Sequence, residues 1–217
     1  MKKIGILGTG TVGKTVGTAL VKLGYEVKMG SRSSDNAMAK EFTETNGSKA
    51  SNGTFTEAAE FGDILINCTL GMASIQALNL AGKEALKGKI LIDLSNPLDF
   101  SKGMPPSLSV CNTDSLGEQI QKEFPDLQVV KTLNIVNCEV MVNPAKSGGE
   151  PTMFLCGNSA SAKEKVLELL HQFGWKDCID LGDISNARGM EMLLPLWVRT
   201  YITTKNGYFG FKVIRQA

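Results

Sequence analysis

Three glycines stand at Gly8, Gly10 and Gly13 in the stretch "ILGTGTVGKTVG", directly after an apolar run and directly before a helical pattern. In that context the spacing G-x-G-x-x-G points to a turn that holds the pyrophosphate of a dinucleotide. The first glycine permits the tight turn, the second lets the backbone approach the phosphates, and the third brings helix against strand. Amide N–H groups at the start of the helix then face the anion. Gly8, Thr9, Gly10, Thr11, Val12 and Gly13 are therefore the expected cofactor turn.

A second signal lies where the next strand ends, in "VKMGSRSS", residues 27–34. A site for NAD places Asp or Glu there, about 20 residues past the glycines, to accept from the ribose 2′-hydroxyl. Ser31 and Arg32 stand at that strand end instead. A guanidinium and a hydroxyl suit a 2′-phosphate through charge-assisted hydrogen bonds, whereas a carboxylate would repel it. The expected cofactor is NADP(H).

Residues for other chemistry are sparse. The single histidine, His171, lies in "KVLELLHQFG", far along the chain from every cofactor motif, and reads as a surface helix residue. No HExxH, paired-cysteine or carboxylate-cluster pattern suggests a metal, and no catalytic acid or base is assigned. Five cysteines, none in a CxxC spacing, read as reduced thiols of a cytoplasmic chain. With 23 basic against 22 acidic residues and a net charge of +1, nothing electrostatic calls for nucleic acid or an anionic membrane. There is no signal-peptide pattern, and the longest apolar stretch, around "MLLPLWV", is too short to span a bilayer.

The elements that must position these residues alternate. Strands are expected at residues 3–7, 25–29, 63–68, 89–94, 127–131, 152–156 and 177–181, and helices at 12–24, 36–47, 115–124 and 161–174. Several strands are near-continuous apolar runs, as in a parallel sheet covered on both faces. The alternation predicts an α/β fold, a Rossmann-type doubly wound, mainly parallel sheet. Gly24, Gly47 and Gly174 read as helix C-terminal caps. From Ser185 to Thr203 the pattern is helical and strongly apolar, with Pro195 expected to kink it. The expected division is an NADP-binding domain at residues 1–182 and a helical appendage at 183–217, which packs on the first domain or in a homodimer.

The stretch "GTGTVGKTVGTALVKLGYEVKMGSR" (8–32) resembles the start of the NADP-dependent oxidoreductases of the deazaflavin coenzyme F420, and is also similar to the cytosolic domain of the STEAP-type metalloreductases. The resemblance continues through "DLSNPL" (93–98), "VVKTLN" (129–134), "PTMFLCGNSASAKEKVLELLHQFGW" (151–175) and "DLGDISNARGMEMLLPLWVR" (180–199), and is weakest between residues 35 and 60. It implies that Thr9, Ser31 and Arg32 bind the 2′-phosphate and that Gly10 and Val12 lie along the pyrophosphate. It also implies that Thr69 and Leu70 run beside the nicotinamide ribose and that Ser95, Asn96 and Pro97 flank the nicotinamide. The activity implied is direct hydride transfer between NADPH and a flavin or deazaflavin acceptor (F420, FMN or FAD), which needs close placement of two rings more than an acid or base. Where the F420 enzymes tend to carry an aromatic residue and a histidine after "VVK", this chain has Leu133 and Asn134.

Asn134, Asn137 and Asn143 could hydrogen-bond a heteroaromatic acceptor, or cap turns. Two other functions share the same cofactor turn: an NADP(H)-binding sensor without turnover, and a small carbonyl or imine reductase. The latter needs a positioned proton donor, for which Lys131 and Lys146 are the lysines in the right region.

Overall fold

The computed structural model describes residues 3–216; Met1, Lys2 and Ala217, the outermost residues of the two expected domains, lie outside the described residues. The strands are β1 (Lys3–Leu7), β2 (Glu26–Ser31), β3 (Ala50–Thr54), β4 (Ile64–Asn67), β5 (Ile90–Asp93), β6 (Leu98–Asp99), β7 (Ser107–Leu108), β8 (Gln128–Thr132), β9 (Thr152–Gly157) and β10 (Asp177–Asp180). The helices are α1 (Thr11–Lys22), α2 (Ala37–Asn46), α3 (Phe55–Phe61), α4 (Gly71–Ala81), α5 (Lys83–Leu86), α6 (Leu116–Glu123), α7 (Cys138–Met141), α8 (Ala160–Gln172), α9 (Ala187–Met192) and α10 (Leu194–Thr204).

Eight strands form one sheet in the order β10-β9-β8-β5-β4-β1-β2-β3. All its pairings are parallel except β8 with β9. The expected doubly wound, mainly parallel sheet is therefore present. Alternation along the strands feeds two cores. Ile4, Ile6, Ile64, Ile66, Ile90 and Ile92 pack in one with Val16 and Leu20 of α1 and Val166 and Leu169 of α8. Leu7, Leu65, Leu91 and Val129 pack in the other with Ala77 and Leu78 of α4, Ile120 of α6 and Met190 of α9. Polar faces are absent from β4 and β5 because both sides are covered.

Several elements go beyond the sequence reading. β3, "ASNGT", is an edge strand built from poor strand formers, and pairs only with β2. α3 carries a capping box in which Thr54 Oγ1 accepts from Glu57 N and the Glu57 carboxylate accepts from Thr54 N. α4 starts on a glycine and is too evenly apolar for a clear period. Gly24, Gly47 and Gly174 adopt φ of +96°, +70° and +99°, the backbone that ends helices. The apolar C-terminal run divides at Leu193 into α9 and α10, with Pro195 in the first turn of α10, where a missing N–H costs nothing. The tail then folds back: Phe209 stacks on Trp197 at 5.2 Å, and Thr152 N donates to Phe211 O at 2.8 Å. Among the described residues no helix is long and apolar enough to cross a membrane.

A Cβ on Gly5 would sit 2.2 Å from Ala58 O, whereas one on Gly149 meets nothing within 4 Å. Gly5→Ala is expected to destabilise the protein by about 1–3 kcal/mol through overpacking, and Gly149→Ala to stay within about 0.5 kcal/mol of wild type, as read from urea unfolding midpoints.

Candidate active site: a cleft at the carboxyl ends of the strands

The chain order reverses at β1, which lies between β2 and β4. Connections leave the sheet in opposite directions there, so a crevice opens beyond the strand ends. Gly8, at φ +119°, turns the chain so closely under β4 that a Cβ would lie 2.8 Å from Cys68 O. At Gly13 a Cβ would lie 2.3 Å from Gly8 O, so helix α1 can pack on the turn only as glycine. Gly10 differs: nothing stands within 4 Å of its missing side chain, and as the N-cap of α1 it offers no side-chain acceptor to the first-turn amides. An open approach to uncapped amides at a helix N-terminus suits a pyrophosphate. The cleft here, of about 480 Å³, is walled by Gly8–Val12, Arg32, Phe55, Cys68–Leu70 and the α4 residues Ala73, Gln76, Ala77 and Leu80.

At one corner stands Arg32, exposed and without an ion pair or hydrogen bond among the described residues. Ser31 is buried and makes a local turn, its Oγ donating to Ser33 O at 2.5 Å and accepting from Ser33 N at 3.3 Å. Its hydroxyl thus shapes the loop that carries Arg32. The next carboxylate along, Asp35, is paired with Lys40.

The opposite end rests on a buried polar row. Asn67, Asp93 and Lys131 are register partners across β4, β5 and β8 and project to one face. Asp93 Oδ1 accepts from Asn67 Nδ2 at 2.8 Å, Ser95 N at 3.2 Å and Ser95 Oγ at 2.6 Å. Asp93 Oδ2 takes Lys131 Nζ at 2.8 Å, and Lys131 also reaches Glu191 Oε1 at 2.9 Å and the Ser95 carbonyl. Lys131 is 0% and Glu191 1% exposed. Burial by itself pushes the Lys131 ammonium down; Asp93 and Glu191 reverse that and hold it above the ordinary lysine value. The Cys68 thiol beside this row is pushed well up, by burial first and by the Asp93 charge second.

The two loops expected at the nicotinamide hang from this row. Asn67 Oδ1 accepts from Thr69 Oγ1 at 2.7 Å and Thr69 N at 3.2 Å, which sets Thr69 and Leu70 on the cleft wall. Ser95 is held at N, Oγ and O, so its side chain points inward. Asn96 O lies where a Cβ on Gly71 would be 1.9 Å away, and Pro97 leads into the β6–β7 hairpin. Leu70 and Met72 stand 78% and 74% exposed at the start of α4, and Phe100 and Met104 are exposed on the hairpin.

The asparagines divide. Asn134, 3% exposed, donates through Nδ2 to Asn96 Oδ1 at 2.8 Å and Met190 O at 3.1 Å, and its Oδ1 has no partner among the described residues. Leu133, at φ +61°, makes the left-handed turn that delivers it. Asn137 caps α7 by accepting from Glu139 N, and Asn143 lines a separate groove against α1 together with Lys146. His171 closes α8, its Nδ1 lying 2.8 Å from Trp175 O. The residues that sequence reasoning missed are Asn67, Asp93 and Glu191. Their one visible trace is a polar residue closing an apolar strand, as in "ILIN" and "ILID".

A switch-point crevice with an uncapped glycine turn, and with Ser31 and Arg32 at the second strand end, has the geometry of a dinucleotide site. Comparison with known proteins carries this further. The family model of the coenzyme F420-dependent NADP oxidoreductases matches residues 3–97. The crystal structure of a candidate F420-dependent NADP reductase from Arthrobacter sp. FB24 superposes with a TM-score of 0.95 at 47% identity, over 99% of this chain and 100% of that one. The F420-dependent NADP reductase of Methanocaldococcus jannaschii is 28% identical over 220 residues, 97% of each chain. Rat metalloreductase STEAP3 is 29% identical over 200 residues, 90% of this chain and 38% of its own. The chain thus spans about two fifths of the length of the STEAP metalloreductases it matches. It belongs to the F420-dependent NADP oxidoreductase family.

Lys131→Met leaves two buried carboxylates without their cation and is expected to cost about 3–5 kcal/mol in urea unfolding. Because the folded-state pKa of Lys131 is raised above 10.5, its contribution is complete below that pH and is lost as pH rises through the folded value. The stability gap between wild type and variant should therefore hold across neutral pH and narrow only above about 10.5.

Proposed function

We propose that the protein passes hydride between NADP(H), held along the glycine turn, and a flavin or deazaflavin ring lying against the nicotinamide. The carrying observation is the cleft itself: an open glycine turn, the guanidinium of Arg32 and the exposed apolar side chains of Leu70 and Leu80 line one crevice. Arg32 and Thr9 hold the 2′-phosphate, the amides of Thr11, Val12 and Gly13 face the pyrophosphate, and Thr69, Leu70 and Ser95–Pro97 border the nicotinamide. When bound, the cofactor supplies a hydride at its nicotinamide ring. The chain's task is to set the planes and distances and to keep water out.

The positions of Lys131, Lys146 and His171 support this economy. Lys131 is buried and fully engaged by three acceptors, Lys146 pairs with Glu139 in the separate groove, and His171 sits at the end of α8. A carbonyl or imine reductase needs such a group free at the cleft. Exposed Leu70 and Leu80 on the cleft wall suit a flat heteroaromatic acceptor.

NADPH oxidation measured in parallel with F420, FMN, FAD and riboflavin is expected to be fast with one of them. Tight NADPH binding with no turnover on any would move the reading to a sensor. Arg32→Ala should weaken NADPH binding about 10- to 100-fold, the worth of a charge-assisted contact, and leave NADH within about twofold. Equal losses for the two cofactors would remove the 2′-phosphate assignment.

A further inference from the structure

Glu191 lies outside the cleft, on α9, yet its carboxylate is the outer end of a continuous buried relay that finishes on the cleft wall. Glu191 Oε1 holds Lys131 Nζ at 2.9 Å; Lys131 holds Asp93 Oδ2 at 2.8 Å and the Ser95 carbonyl. Asp93 then fixes Asn67 and the N–H and Oγ of Ser95, and Asn67 fixes Thr69. A parallel tie runs from Met190 O through Asn134 to Asn96. The C-terminal segment thus grips both loops expected to border the nicotinamide, and among the described residues makes no hydrogen bond or ion pair with the glycine turn or Arg32.

The relay carries more charge than a simple ion pair needs. One ammonium and two carboxylates sum to −1, and the surplus is met by Leu116 N and Gly117 N, which donate to Glu191 at 2.9 and 3.0 Å at the start of α6. Lys131 and Asp93 alone would be neutral, so Glu191 is not required for charge balance. What it adds is a third fixed acceptor for Lys131, and with it the direction in which the ammonium pulls the Ser95 carbonyl.

We propose that Glu191 is a positioning residue for the reactive end of the cofactor, acting through Lys131 and Asp93 on Ser95 and Thr69. This rests on the reading that the nicotinamide lies at that end of the cleft. Its removal then affects ring placement far more than dinucleotide affinity, because the pyrophosphate and 2′-phosphate contacts belong to a different part of the cleft.

The test is Glu191→Gln, which leaves a neutral Lys131–Asp93 pair and keeps an acceptor for the α6 amides. Expected are an NADPH Kd within about twofold of wild type and a kcat about 10- to 100-fold lower with the best acceptor, the scale set by small misplacements. Two readouts need no acceptor: the emission of bound NADPH, which reports on the dihydronicotinamide, should change, while the ³¹P resonance of the 2′-phosphate should not. Glu191→Asp, which keeps the charge with a shorter reach, should restore part of kcat without changing Kd. Unchanged kcat and unchanged emission in folded Glu191→Gln overturn the proposal. So do Kd, kcat and melting temperature that fall together, the mark of a purely structural residue. If wild type turns over no acceptor, the function proposed above fails while the emission and ³¹P comparison still decides the role of Glu191. Should Glu191→Gln not fold, Glu191→Asp, which shortens the reach to Lys131, is read in its place, and unchanged kcat with unchanged emission overturns the proposal.

Discussion

A lysine with no exposed surface is the constraint around which much of this molecule is arranged. Taking an ammonium out of water costs several kcal/mol unless every N–H finds an acceptor and the charge finds a partner. Lys131 meets that demand with acceptors from three places: the Asp93 carboxylate closing β5, the Ser95 carbonyl just beyond it, and the Glu191 carboxylate some sixty residues further along the chain on α9. Satisfying one ammonium therefore closes the C-terminal segment over the sheet, fixes the loop after β5 and anchors the start of α6. The surplus negative charge has amides to meet it, so the row is fully engaged.

The other half of the cleft is shaped by side chains that are missing. At Gly8, Gly13 and Gly71 neighbouring backbone lies where a Cβ would have to be, which brings β1, α1 and α4 together around the switch point. At Gly10 the space is open. The two halves differ in kind: a stiff, charge-bound end at the carboxyl termini of β4, β5 and β8, and an accessible end where Arg32 stands on a loop braced by Ser31.

That division matches the needs of the hydride transfer proposed above. Affinity for a dinucleotide comes from phosphates, which tolerate a solvated, adaptable grip. The reaction depends on ring separation and orientation, which a close-packed and hydrogen-bonded support holds better than an exposed loop. Lys131, Lys146 and His171 are each engaged by other groups of the fold, and Leu70 and Leu80 of the cleft wall are exposed.

Local chemistry made much of this legible in the sequence. The glycine spacing, the Ser31–Arg32 pair at the strand end, the apolar runs of the central strands, the capping glycines and the break at Pro195 all depend on residues within a few positions of one another. They pointed to the fold class and to the accessible end of the cleft. Lys131 reads from the sequence only as one of two lysines in the right region for a proton donor, because a lone lysine closing "VVK" says nothing about what surrounds it. Asn134 and Asn137 read from the sequence as ligands to a ring or as turn caps, and in the folded chain one ties the loop after β5 to the α9 carbonyl of Met190 and the other caps α7. The joining of Asn67, Asp93, Lys131 and Glu191 was a matter for tertiary structure alone. Strand register sets the first three side by side, and only the packing of α9 against α6 brings the fourth. Their mutual distances are functions of how the sheet winds, and no short-range pattern in the chain encodes them.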